Sequence, residues 1–145
     1  MKILELLTPL RKKGNLGERA AARYLRRQGY KILHRGYVAG GHEIDIIAES
    51  RDVVAIVEVK TRTVRDKVGY ESRPAASVTP EKQRSIIAAA KYFIATKTEG
   101  KPVRLDVVEV YLEEKKRGHR VVDIKHLKAA FDLNTARVGY RKDRK

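Results

Sequence analysis

The sequence predicts one mixed α/β domain built on a central sheet, and three observations carry that expectation. A helical apolar stripe comes early in the chain, two alternating runs lie back to back between residues 42 and 62, and a second helical stripe is followed by further alternation. The length of 145 residues fits a single core.

Leu16, Ala20, Ala21, Tyr24 and Leu25 recur at helical spacing after Gly14-Asn15, and Gln28-Gly29-Tyr30 supplies a stop, so the first helix is expected over 16–28. Tyr30 to Val38 mixes β-formers with charges until Ala39-Gly40-Gly41 breaks it, the profile of an edge strand. His42 to Glu49 and Val53 to Arg62 alternate and are separated by Ser50-Arg51-Asp52, which predicts a hairpin. Thr63 to Thr79 has no periodicity and reads as a long loop. Thr79-Pro80-Glu81 is a capped helix start for the stripe Ile86, Ile87, Ala90, Phe93 and Ile94, which ends near Lys97. Val103 to Tyr111 alternates again, Glu113 to His119 is a charged turn, Val121 to Ile124 returns, and Lys125 to Phe131 is expected as a short helix. The domain is expected over 1–133, with 1–13 a loose N-terminal arm and the basic stretch 134–145 a disordered tail.

Lysine and arginine number 33 against 18 acids, for a net charge of +15. Such a chain attracts polyanions over roughly a Debye length, which points to DNA or RNA; ribosomal contact, a membrane surface and plain solubility are the competing uses of that charge. The absence of cysteine excludes a disulfide framework and a thiolate zinc site. No apolar stretch approaches the roughly 20 residues of a membrane span. The first ten residues carry Glu5 and no small-residue cleavage site, so a cytoplasmic protein with no membrane partner is expected. His34, His42, His119 and His126 share no metal-ligand spacing.

The pattern acid-x-Lys occurs at Glu58, Glu113, Glu114, Asp123 and Asp143, so it selects nothing by itself. A two-residue turn at Arg51-Asp52 sets Asp45 directly opposite Glu58, and directly opposed β-carbons lie about 4.5–5.5 Å apart. The same register pairs Ile47 with Ile56 and Glu43 with Lys60 on that face. It pairs Ala48 with Ala55, Ile46 with Val57 and Ile44 with Val59 on the other, which is expected as core. Two carboxylates this close repel unless a cation intervenes. Oxygen donors from Asp45, Glu58 and the Val59 carbonyl suit Mg²⁺ or Mn²⁺, and Lys60 stands within reach of a phosphate or water beside the ion. That set serves metal-assisted phosphodiester hydrolysis. The bland competitor is a solvated strand end in which Glu43 pairs with Lys60 and Glu58 with Arg62. A rival constellation is Asp106 with Asp123-Ile124-Lys125.

Glu18 falls partly on the packing face of the first helix, either as a further ligand reaching toward Asp45 or in a salt bridge to Arg19, Arg23 or Arg62. Lys82, Gln83 and Arg84 in the first turn of the second helix either touch a nucleic-acid backbone or are solvated. Arg62 and His42, beside the acidic pair, join Lys82 and Gln83 as nucleic-acid contacts.

Gly17-Glu18, Gly41-His42-Glu43-Ile44-Asp45-Ile46-Ile47 and Val57-Glu58-Val59-Lys60-Thr61-Arg62 resemble the signatures of the bacterial YraN family, and the match runs from Gly14 to Phe131 in order. That family is similar to the restriction-endonuclease-like PD-(D/E)XK superfamily and to archaeal Holliday junction resolvases. The resemblance implies an α/β fold with a central mixed sheet flanked by helices, and Glu18, Asp45, Glu58 and Lys60 in the catalytic positions. It also implies a homodimer and a Mg-dependent endonuclease acting on branched DNA. The alternative is a non-catalytic DNA- or RNA-binding accessory protein that keeps the fold. His42 stands where the family usually has glycine; its bulk either narrows the approach or contacts a phosphate.

Overall fold

The computed structural model describes residues 3–64, 78–97 and 100–132. Helix α1 (Ile3–Arg27) leads into strands β1 (Lys31–Ala39), β2 (His42–Glu49) and β3 (Val54–Thr63), then helix α2 (Pro80–Lys97) and strands β4 (Val103–Glu114) and β5 (His119–Phe131). The strands form one sheet in chain order, with β3 and β4 parallel and every other neighbouring pair antiparallel. This mixed sheet flanked by two helices agrees with the restriction-endonuclease-like architecture expected.

The backbone of α1 is helical from Ile3, ahead of the expected start at Leu16. The helix ends in the Gly29 signal: Gly29, at φ 94°, donates its N–H to Arg26 O at 3.1 Å, and Tyr30 N–H reaches Leu25 O at 3.0 Å. This double closure satisfies carbonyls that the helix end would orphan, and it needs a left-handed residue that glycine supplies without strain. β1 is an edge strand, as expected. It turns into β2 through Gly40 and Gly41, both at positive φ, which is the backbone twist a two-residue hairpin prefers. Thr79 caps α2, its Oγ1 accepting the Lys82 N–H at 3.1 Å. Most of the expected loop from Thr63 to Thr79 (65–77) and the tail 134–145 lie outside the described residues.

Each face of the sheet carries a core. On one, Ala21, Ala22 and Leu25 of α1 meet Ile46, Ala48, Ala55, Val57, Val108, Val110 and Leu112. On the other, Ile86, Ile87, Ala90 and Phe93 of α2 meet Ile44, Ile47, Ile56, Leu105 and Val107. Ile44 therefore does not share a face with Ile46 and Ala48. The strict alternation expected of β2 breaks between Ile44 and Ile46, at Asp45.

The short helix expected at Lys125–Phe131 is instead the end of β5. Ile124, Leu127 and Phe131 imitate a helical stripe, but β4 is buried from Leu105 to Leu112 and its second edge needs a partner for every peptide group. Pairing therefore overrides the local pattern, with irregularities between Leu105 and Val107 and between Tyr111 and Leu112.

Candidate active site

β2 and β3 pair at Ile46 with Val57, Ile47 with Ile56, Ala48 with Ala55 and Glu49 with Val54, the expected register. The ladder stops there. β2 remains paired to β1 down to His42 and β3 to β4 up to Thr63, so the two strands part beyond Ile46 and Val57 into a fork. Asp45 and Glu58 stand at its opening. The Asp45 carboxylate spans the gap, its Oδ2 accepting the backbone N–H of Val59 at 2.8 Å. One side-chain oxygen thus replaces the main-chain bond that divergence removes, and it fixes the orientation of the carboxyl group.

Glu58 is buried, 5% exposed, which is incompatible with a solvated strand end. Burial first, then the charge of Asp45, pushes its carboxyl up to about 7; Lys82 and Lys60 oppose the rise, and a hydrogen bond with Asp45 adds to it. Lys60 Nζ lies 3.7 Å from Glu58 Oε1. Among the described residues Glu58 Oε2 is buried with no hydrogen-bond partner. Lys60 pairs with Glu58 rather than with Glu43.

Glu18 faces the same place from α1. Its carboxyl is raised by burial and by Asp45, with Arg35 opposing and Glu43 adding. Its ion pair is with Arg35, at 3.9 Å between Oε1 and Nε, and not with Arg19, Arg23 or Arg62. Glu18, Asp45 and Val59 line a cleft of about 190 Å³ together with Gly14, Asn15 and Thr61. Gly17 makes this possible: a Cβ at that position would run into the Thr61 side chain, so only glycine lets α1 come this close to β3.

The expected catalytic residues Glu18, Asp45, Glu58 and Lys60 are thus gathered at the fork. Lys82 acts on Glu58 electrostatically, a role its position in a helix first turn did not reveal. His42 Nδ1 lies 2.8 Å from Ser85 Oγ, tying the β1–β2 turn to α2. Gln83 folds back, its Nε2 donating to Val78 O at 3.0 Å. Arg62 is half-buried on β3 beside Tyr111 of β4. The roles of Arg35 and Ser85 have no local sequence signal, since each depends on a partner distant in the chain, and Gly17 is marked only by the family resemblance.

The rival constellation at Asp106 is a closed structural network. Asp106 is fully buried and accepts from Arg104 Nε and Nη2, each at 2.8 Å, and from Ala129 N–H at 3.0 Å, while His126 Nε2 lies 2.8 Å from its Oδ2. These bonds hold its carboxyl below the usual range against burial, which pushes the other way. Arg104 also donates to Tyr30 Oη at 2.6 Å, and Tyr24 Oη lies 3.2 Å from His126 Nδ1. Among the described residues each Asp106 oxygen already meets two nitrogen partners, Oδ1 those of Arg104 and Ala129 and Oδ2 those of Arg104 and His126.

A hard divalent cation fits the Asp45–Glu58 pair, because both carboxylates are oxygen donors and one buried oxygen is unsatisfied. Among the described residues no three acidic or histidine side chains converge closely enough to hold a metal. Two carboxylates with water filling the remaining positions is the usual way in which Mg²⁺ is held.

A model of the family described as Uncharacterised protein family UPF0102 matches residues 17–110, a span that contains Glu18, Asp45, Glu58 and Lys60. A UPF0102 protein of Clostridioides difficile is 43% identical over 110 residues, covering 75% of this chain and 93% of the relative. Relatives from Caldicellulosiruptor saccharolyticus and Chlorobaculum parvum, both also UPF0102 proteins, are 41% and 46% identical over 122 residues. They cover 83% and 81% of this chain and 98% and 90% of their own length. No helix among the described residues is long and apolar enough to cross a membrane.

Proposed function

The chain belongs to the UPF0102 family, the YraN nuclease-like family, and from that premise we propose that it is a Mg²⁺- or Mn²⁺-dependent endonuclease that hydrolyses phosphodiester bonds in DNA. The observation that carries this reading is the pairing at the fork of half-buried Asp45 with buried Glu58, whose carboxyl is raised to about 7 and has one oxygen unsatisfied among the described residues, with Lys60 at 3.7 Å. Two carboxylates this close, one of them buried, repel each other as anions, and a divalent cation resolves the conflict.

In this reading Asp45 and Glu58 hold the metal, with the Val59 carbonyl and water as further ligands. The ion, when bound, lowers the pKa of a water and polarises the phosphoryl oxygen. Val59 N–H keeps the Asp45 carboxylate from rotating, so the pair is preorganised. Lys60 orients the attacking water or offsets charge on the phosphoryl group. Glu18, across the cleft, holds a second water. A four-way junction is the branched substrate the family likeness favours.

The test is cleavage of duplex, flapped and four-way DNA with Mg²⁺ or Mn²⁺ by the wild-type chain and by Asp45→Ala and Lys60→Ala. Cleavage lost in both variants supports the enzyme. Tight binding with no cleavage under either metal favours the accessory role, and cleavage that survives both substitutions refutes the assignment.

A further inference from the structure

Helix α1 carries more than Glu18. Arg19, Arg23, Arg26 and Arg27 are all exposed and, at 3.6 residues per turn, fall within about 100° of arc on its outer face. None of the four is engaged in an ion pair among the described residues. From Arg19 to Arg27 this ridge rises about 12 Å, the length of three to four phosphates of one duplex strand at about 3.4 Å each. It begins where the cleft ends: Asn15 and Glu18 line the cleft, and Arg19 is the next residue along the helix. Exposed Arg35 on β1 stands beside it, reaching back to Glu18 at 3.9 Å.

The geometry points to this ridge as a track for the backbone of a nucleic acid whose reacting phosphate lies at the Asp45–Glu58 fork. The inference rests on the nuclease reading for the identity of the polymer and adds the surface that grips it away from the chemistry. Charge complementarity favours a polynucleotide, since four unpaired guanidinium groups in a row suit successive phosphates, which arginine binds through its planar fork of donors. A membrane surface fits less well, because along the stretch of α1 that bears the ridge the apolar residues Ala21, Ala22 and Leu25 are buried against the sheet. Contacts of this kind grip without reading sequence.

The experiment compares the wild-type chain with R19Q/R23Q/R27Q and with K115Q/K116Q/R117Q, which removes the same three charges from the exposed β4–β5 turn. Binding of a fluorescent 24-base-pair duplex is measured by anisotropy in EDTA across a NaCl series. Anionic phosphatidylglycerol vesicles form a second arm, and circular dichroism verifies the fold. The ridge variant is expected to bind at least about tenfold more weakly and to flatten the slope of log K against log salt by about 2 to 3, with little change in the turn variant. Equal losses in both variants, or none in the ridge variant, overturn the track even where the wild-type chain cleaves DNA. Ridge-dependent binding of vesicles without binding of duplex also overturns it. Ridge-dependent binding of duplex without cleavage under Mg²⁺ or Mn²⁺ keeps the track and removes the nuclease reading. No binding of duplex at any salt removes both.

Discussion

Asp45 Oδ2 accepts the Val59 N–H at 2.8 Å across a point where the main chains of β2 and β3 no longer pair. The carboxylate therefore has a structural duty in the metal-free chain and a ligand's duty in the proposed site, and the two can be separated. Asp45→Asn keeps an acceptor for Val59 while removing the charge that Glu58 opposes. At pH 8 in EDTA it is expected to be at least as stable as the parent chain. The parent is expected to gain about 1–2 kcal/mol from Mn²⁺ at roughly ten times its dissociation constant or more. Thermal melts with and without MnCl₂ check this, and an Asp45→Asn chain that still gains the full stabilisation would remove Asp45 from the ligand set.

Glu58 gives a pH dependence with a definite sign. Its carboxyl is raised from 4.5 to about 7 in the fold, so the folded chain binds the proton more tightly than the unfolded one. The stability this contributes is complete below about pH 4.5 and is lost as pH rises through 7, a change on the order of 3 kcal/mol. Denaturant unfolding in EDTA from pH 5 to 8.5, taken as the difference between the parent and Glu58→Gln, should show that loss. Divalent-ion affinity should run the opposite way and strengthen through the same window, because the ion competes with the proton on Glu58. A pH-independent difference between the two chains would refute the raised carboxyl.

Much of this site is legible in the sequence because hairpin register is a local property. A two-residue turn at Arg51-Asp52 fixes the pairing of Ile46 with Val57 and of Ile47 with Ile56, and so sets Asp45 against Glu58. The fork is not legible: the hairpin register implies a continuing ladder through the opposed pair, and nothing local announces that β2 and β3 separate there. The switch of Ile44 to the α2 side has the same origin. Lys125–Phe131 fails for a complementary reason, since the need of β4 for a hydrogen-bonded partner outweighs a helix-like spacing. Of the two readings of Glu18, the one that directs it toward Asp45 agrees with the cleft both residues line, while its ion-pair partner Arg35 is near it only in the folded chain.

Gly17 is expected to be the least replaceable glycine of the site. An alanine there would drive its methyl group into the Thr61 side chain and push α1, and Glu18 with it, away from β3. Gly17→Ala should cost about 1–3 kcal/mol, in the range for overpacking. Because the obstruction is chiefly the Thr61 hydroxyl, Thr61→Ala should restore part of the loss. A double-mutant cycle by denaturant unfolding should give a coupling of about 1 kcal/mol or more, and strict additivity would mean that the two residues do not touch.

The buried Asp106 network makes the last prediction. Asp106 holds β5 to β4 through Ala129 N–H, which it accepts at a position with φ 52°, and through His126, and it neutralises Arg104 where that side chain meets Tyr30. Asp106→Ala strands a guanidinium and a backbone donor at once, and breaking such a pair by removing one partner costs about 3–5 kcal/mol. Asp106→Asn keeps acceptor capacity for Ala129 and should cost less. Where Asp106→Asn remains folded, its metal-dependent stabilisation should match that of the parent, because Asp45 and Glu58 are untouched. Hydrogen exchange should locate the damage in β5, with Ala129 and its neighbours losing protection before the fork does. Loss of the Mn²⁺ response in a folded Asp106→Asn chain would instead mean that the network belongs to the active site and that its closed appearance is misleading.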